Sequence, residues 1–363
     1  MWNKNLLPFV MLLVCCSPVC PESASAQETG PRDKYTMLTM PYNKRPLTLY
    51  GGQFMASAGY KFAIRSQTFN KEGDKVYLKN AGTGSVFHYY VVNARYGITG
   101  FLELGAETSL IRHGMRSQSV TYATTSLTSA ERVTVNEFRE VKGMGDLLLT
   151  ATARLPLEYK WFDFSLTGGL YLPTAKNEQD KPSHSVTDIS TSNTYTVNYR
   201  YNYRYGFGVP VWLTGAGAKF SLGKYSLQAG LVYTTPREEG TGTRWDQTLL
   251  TSKTFDYSEK EYKYLLSDSW SGTLSFHYQA TGWFDVILNG SYNKTTGGWT
   301  EYWGNKYRNP ETRILIIEPS FELQITPTLK VCQSAGFPVS GKNCDAPFFL
   351  FTTIRFSQFP FLR

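Results

Sequence analysis

The sequence predicts an all-β chain that closes into a transmembrane, antiparallel, up-and-down β-barrel of about twelve strands, in a range of ten to fourteen. Three observations predict it. The chain begins with an export leader. Apolar and polar residues alternate in segments about ten residues long from one end to the other. The connections between those segments are alternately short and long.

The leader comes first. Lys4 supplies positive charge, Leu6 to Cys16 is apolar, and Ala24-Ser25-Ala26 closes a small-residue stretch before Gln27. That layout is a cleavable signal peptide, with cleavage expected after Ala26. The apolar run is shorter than the roughly 20 residues a membrane-spanning helix needs. A lipoprotein anchor at Cys15, Cys16 or Cys20 is the alternative, and none of the three follows the small-residue pattern it requires. The chain therefore divides into a signal peptide (1–26), a periplasmic N-terminal segment (27–47) and a barrel (48–363).

Composition fits this division. Mean hydropathy is −0.31, and after Ala26 no uninterrupted apolar stretch reaches helix-spanning length, which excludes a helical bundle. Aromatic residues are still 15% of the chain, with 25 Tyr and 22 Phe. A barrel gives such an average because every second residue faces the lumen and dilutes the apolar half. Lys4 and Glu22 cancel within the leader, so the mature chain keeps the net charge of +8. In an exported barrel this charge favours anionic solutes and lipopolysaccharide, with no nucleic-acid partner expected.

The strands read in order. Phe54, Ala56, Ala58, Tyr60, Phe62 and Ile64 share one face, against Gln53, Ser57 and Lys61. Leu102, Leu104, Ala106 and Leu110 oppose Glu103, Glu107 and Ser109. Leu147, Leu149, Ala151, Ala153 and Leu155 oppose Asp146, Thr150, Thr152 and Arg154. Phe162 to Leu172, Leu227 to Tyr233, Leu274 to Tyr278 and Phe284 to Tyr292 repeat the pattern, setting Asp163, Gln228, His277 and Asp285 on the polar face. A soluble β-sandwich alternates too, but it does not show long strands together with one-sided loop lengths. Short connections fall at 97–100, 156–161, 223–225, 281–283 and 326–328; long polar ones fall at 66–84, 113–142, 174–202, 236–261 and 295–310, with a shorter one near 340–347. Outer-membrane barrels have this asymmetry, with tight periplasmic turns and long outer loops. An even strand number puts both barrel ends on the periplasmic side. Gly and Pro210 interrupt the segment 203–222, where a bulge is expected.

Tyr89, Tyr90, Tyr96, Tyr159, Trp161, Trp270 and Trp283 cluster toward strand ends and are expected to form aromatic girdles at the lipid headgroups. In the final segment Phe348, Leu350, Ile354 and Phe356 face lipid, and Phe349, Phe351, Thr353 and Arg355 face inward. Barrel-assembly machinery reads a terminal aromatic residue in many such proteins. Here Arg363 is last, so Phe356, Phe359 or Phe361 would serve.

Several short motifs carry a family likeness. The run Tyr96 to Gly105 (YGITGFLELG) resembles a "YG-turn-LELG" hairpin, Gly143 to Leu147 (GMGDL) a "GlGD" strand opening, Leu172-Pro173-Thr174 an "lPTG" strand end, and Gly206-Phe207-Gly208 the "GtG" that follows a loop. In this order, over roughly 90–236, they resemble the outer-membrane proteins grouped with the MetA-pathway phenol-degradation transporters. Gly100 and Ala175 depart from the family pattern. The resemblance implies a barrel transporter related to FadL-type channels for hydrophobic compounds, and it transfers no substrate.

The expected function is passive passage of small molecules, hydrophobic or aromatic ones among them. A closed structural or surface-binding barrel is the alternative, and an outer-membrane lipid hydrolase using Ser275, His277 and Asn289 is a third. Parity turns those three residues into the lumen, whereas barrel hydrolases place theirs outward, so no enzyme activity is expected. No cofactor is expected and no metal, because His88, His113 and His184 lack ligand spacing. The candidate lumen-lining residues are Arg95, Glu103, Glu107, Asp146 and Arg154, from three neighbouring strands; opposite charges at similar heights would form a lumen ladder that lines a pore or fills and stiffens the interior. Cys332 and Cys344, the cysteines left after cleavage, are candidates for one local disulfide in an oxidising compartment, with free thiols as the alternative.

Overall fold

The computed structural model describes residues 46–78, 84–126, 129–155, 161–175, 178–180, 183–187, 194–198, 201–203, 205–251, 254–302 and 304–359. The expected leader, its cleavage site, Tyr159, Phe361 and Arg363 lie outside them.

Twelve strands form a closed wall: β1 (Phe54–Arg65), β2 (Gly84–Thr99), β3 (Leu102–Ser126), β4 (Leu147–Arg154), β5 (Phe162–Leu172), β6 (Val211–Leu222), β7 (Tyr225–Pro236), β8 (Asp268–Gln279), β9 (Phe284–Thr296), β10 (Thr312–Gln324), β11 (Leu329–Lys342) and β12 (Phe348–Gln358). Each pairs antiparallel with the next in sequence. The ring shuts where β1 meets β12, with Phe54 opposite Gln358 and Ile64 opposite Phe348. Closure satisfies the backbone groups that an open sheet edge would expose to lipid. With an even number of strands, the two ends of the wall fall on the same side.

That side carries the tight turns, at Gly100–Phe101, Gly223–Lys224, Ala280–Trp283 and Ile325–Thr328; it is the turn end. At the opposite, hairpin end, the long polar segments expected as loops are largely strand. Ser129–Met144 continues along β3 as far as the pair Ser126/Ser129. Gly240–Thr251 pairs with Thr254–Leu265, and Trp299–Tyr302 with Asn305–Arg308. These segments are rich in Thr, Tyr and Val, residues that suit a pleated ladder as well as they suit a polar surface. Polarity alone therefore concealed them.

Alternation sets the two faces. Leu104, Leu166, Leu231, Leu274, Leu288 and Ile354 are about half exposed on the outside, while Lys219, Gln228, His277 and Arg355 are buried inside. A water-soluble protein does the reverse; a lipid-facing wall requires this arrangement. Outward charges of the wall appear at Arg112, Asp268, Lys294 and Arg313, all toward the hairpin end. Near the turn end the outer surface carries a belt of rings: Trp161 lies 5.7 Å from Phe220, Phe162 4.8 Å from Phe220, and Tyr225 5.2 Å from Tyr278. Trp270 and Tyr233 meet at 4.4 Å nearer the other end. Tyr89, expected in a girdle, points inward and is buried, because it shares parity with Phe87 and Asn93.

The segment 203–222 departs from expectation in a useful way. No bulged strand fills it: β6 begins only at Val211, after Pro210, which has no N–H to give to a ladder. The residues before it turn into the barrel. Tyr205 and Val209 are 4% and 5% exposed.

Candidate functional site

The interior has two chemistries, one at each end. Toward the turn end, nearly every strand contributes an inward polar or ionisable side chain, so the wall carries a belt of charge. Arg95 of β2 reaches Glu103 of β3 at 3.5 Å, and Arg154 of β4 reaches Asp163 of β5 at 3.1 Å. Asp163 stands opposite Lys219 of β6, and Lys219 opposite Gln228 of β7. Glu322 of β10 accepts Arg355 of β12 at 2.7 Å and holds Lys330 of β11 at 3.4 Å, so one carboxylate ties three neighbouring strands. All of these side chains are largely removed from solvent. Each cation has a carboxylate close by, which is the condition for keeping charge inside a narrow lumen.

Toward the hairpin end the inward positions become apolar. Phe87, Tyr89, Ile111, Ile316, Phe349 and Ala63 form one cluster, with Phe351 and Val91 at its edge. Phe87 stacks on His113 at 3.9 Å, with ring planes 10° apart. Lys61 sits 3.8 Å above the Phe349 ring, so a cation marks the border between the two zones. Tyr205 packs into this cluster. Val209 packs into a second one with Leu148, Tyr171, Val211 and Leu213.

Asp146 holds the inturned segment. One carboxylate oxygen accepts the Phe207 N–H at 2.5 Å and the other the Ala175 N–H at 3.0 Å. The Leu147 N–H donates to Thr174 Oγ1 at 2.9 Å, and the Tyr264 hydroxyl donates to the Phe207 carbonyl at 3.0 Å. Only a glycine fits at 206, because a Cβ there would lie 2.2 Å from the Asp146 carboxylate. Three motifs far apart in sequence, at 143–147, 172–174 and 206–208, thus meet at one carboxylate.

At the turn end the chain preceding β1 lies in the mouth. The Leu47 N–H donates to Asp163 at 3.1 Å and the Leu49 N–H to Glu103 at 2.8 Å. Leu47, Thr48 and Leu49 are between 3% and 7% exposed.

The five expected lumen residues all face inward, but they do not make one ladder. Arg95, Glu103 and Arg154 belong to the belt. Glu107 lies one step farther in and accepts Asn93 Nδ2 at 3.2 Å. Asp146 stands at the other end of β4 from Arg154, about 26 Å away along eight residues at about 3.3 Å each. Shared parity does not imply shared height.

The structure does not join Cys332 and Cys344 in the expected bridge. Gln333 to Lys342 separates them in extended form, roughly 30 Å of chain, whereas bridged Cα atoms lie within about 7 Å. Cys344 Sγ donates instead to the Arg313 carbonyl at 2.9 Å. Ser275 and His277 are buried inside, with Ser275 opposite Asn289, whose amide donates to Ser320 at 3.3 Å.

Glu318, Glu322 and Lys330 were not singled out in the sequence. In β10 the run Ile314–Ile317 is apolar on both faces, because its inward half joins the aromatic cluster; period two vanishes there and hides the carboxylates that follow. The recoverable signal was Glu318 and Glu322 at even spacing around Ser320.

No family model and no curated protein matches the chain. Among solved structures, the crystal structure of the COG4313 outer membrane channel from Pseudomonas putida F1 is similar in fold. Its TM-score is 0.58 at 14% identity, over 86% of this chain and 97% of that one. The P. putida toluene transporter TodX superposes with a TM-score of 0.46 at 8% identity, over 93% and 95% of the two chains. The CymD monoaromatic hydrocarbon channel does so with a TM-score of 0.46 at 9%, over 92% and 94%.

Proposed function

We propose that the mature chain is an outer-membrane β-barrel channel for passive passage of small molecules, with hydrophobic or aromatic ones as its preferred solutes. The turn end then faces the periplasm and the hairpin end faces outward, and the outer surface contacts lipid and lipopolysaccharide. The carrying observation is the inward cluster of Phe87, Tyr89, Ile111 and Phe349 behind the outer hairpins. A barrel needs no apolar face inside a polar lumen to be stable, whereas an apolar solute needs one to leave water. The fold shared with an outer membrane channel is consistent with this reading.

A second reading, a closed structural or surface-binding barrel, draws on one specific observation. Lys219, Gln228 and Asn293 are nearly inaccessible, as expected of a filled interior. Liposome swelling decides between them. Vesicles carrying the refolded protein should swell in isotonic small solutes at a rate that falls with solute size. Vesicles that hold a folded barrel and do not swell would sink the channel reading.

A further inference from the structure

We propose that residues 46–50 are a strap that closes the turn-end mouth of the lumen, and that Glu103 and Asp163 are the catch that holds it. The docking of the strap stands on geometry alone; its consequence for passage rests on the channel reading.

The strap lies inside the wall. Its two donors, the N–H groups of Leu47 and Leu49, lie on either side of Thr48 where the chain bends, and each meets a carboxylate of the wall. The acceptors they meet belong to β5 and β3, so the segment runs past β4 between them. Thr48 adds a bond from its hydroxyl to the Gly100 carbonyl at 3.2 Å, on the turn joining β2 to β3. Each carboxylate serves two partners, the strap's N–H and a buried arginine: Arg154 for Asp163, Arg95 for Glu103. Each strap bond thus ends on a carboxylate that is itself in an ion pair with an arginine, 3.1 Å away for Asp163 and 3.5 Å for Glu103.

The wall is shaped for this occupant. After Tyr50 the chain turns on the bond from the Gln53 N–H to the Tyr50 carbonyl at 2.9 Å, then joins β2 through Gly52 N–H to Gly97 O at 2.7 Å and Gly97 N–H to Gln53 O at 2.9 Å. A Cβ on Gly97 would sit 2.2 Å from the Tyr50 carbonyl oxygen, so the close approach exists only because position 97 has no side chain. Unlike a wall strand, the strap has no continuous ladder. Its hold is concentrated in a few bonds, which makes it releasable while the barrel stays intact.

The test uses Leu47→Pro with Leu49→Pro, which deletes the two donors and leaves the carboxylates, the arginines and the wall unchanged. Thr48→Cys, in a Cys332→Ser, Cys344→Ser background of the full mature chain, reports on the strap through its reaction with a bulky, membrane-impermeant maleimide. The strap predicts slow labelling in the parent and labelling at least about tenfold faster with the two prolines, since two bonds to charged acceptors are gone. Glu103→Gln with Asp163→Asn should accelerate it from the other side. Fast labelling in the parent, or a rate unmoved by the prolines, overturns the strap. Single-channel recording of the same proteins separates the two ideas. Faster labelling with no current in any variant keeps the strap and removes the channel; unchanged labelling with ordinary current does the reverse.

Discussion

Replacing Glu322 by Gln removes one negative charge from between two buried cations. Arg355 lies 2.7 Å away and Lys330 3.4 Å, and the three side chains are 4–8% exposed. Breaking a buried ion pair by deleting one partner costs about 3–5 kcal/mol, because the partner left behind is desolvated and unmatched. Here two cations lose the carboxylate between them, which pushes toward the upper end. The Gln carbonyl can still accept from Arg355, recovering about 1 kcal/mol. The expected loss is therefore about 3–4 kcal/mol, read from urea unfolding in phospholipid vesicles followed by tryptophan fluorescence. Glu322→Leu combined with Lys330→Met and Arg355→Met should recover most of that loss, since well-packed apolar groups often replace a buried ionic cluster without penalty. A loss below about 1 kcal/mol for the Gln variant would refute the reasoning. It would mean that these charges are screened like surface pairs and that the belt is bathed in water.

Three further outcomes follow from the geometry. Leu288→Lys, on the outer face midway along β9, should cost about 2–4 kcal/mol of membrane-embedded stability, while Gly290→Ser on the same face should cost far less; equal losses would contradict the assigned lipid face. Asp146→Ala should expose the Phe207 and Ala175 amides to fast hydrogen exchange with the β7–β9 amides unchanged, and protection retained at Phe207 would remove the carboxylate from its holding role. The denatured mature protein should titrate two thiols without reductant, where none would restore the bridge. In the folded protein Cys344 should alkylate slowly, because burial pushes its thiol up to about 12.

The wall was legible in the sequence because lipid on one side and a lumen on the other impose period two on nearly every strand. Met55 to Ile64 and Phe284 to Tyr292 show their orientation without any structure. Two kinds of feature escaped. Position along the barrel axis leaves no trace in parity, so Asp146 and Arg154 read as neighbours although β4 separates them. Long-range satisfaction of backbone groups is equally silent: nothing local marks Leu47 and Leu49 as donors to Asp163 and Glu103. The β10 and β11 share of the belt was obscured where the interior turns apolar, whereas Arg355 of β12 was legible as inward-facing. The disulfide expectation failed for the same reason as the ladder, since closeness in sequence along an extended strand is distance in space.

The central claim is that solutes pass through this barrel. Single-channel recording of the refolded mature chain in a planar bilayer tests it most directly. The account predicts stepwise ionic current, interrupted by brief blocks when a small aromatic solute is added from the hairpin side. Those blocks should shorten in Phe349→Ser, which opens the apolar cluster. A correctly inserted barrel that carries no current would contradict it.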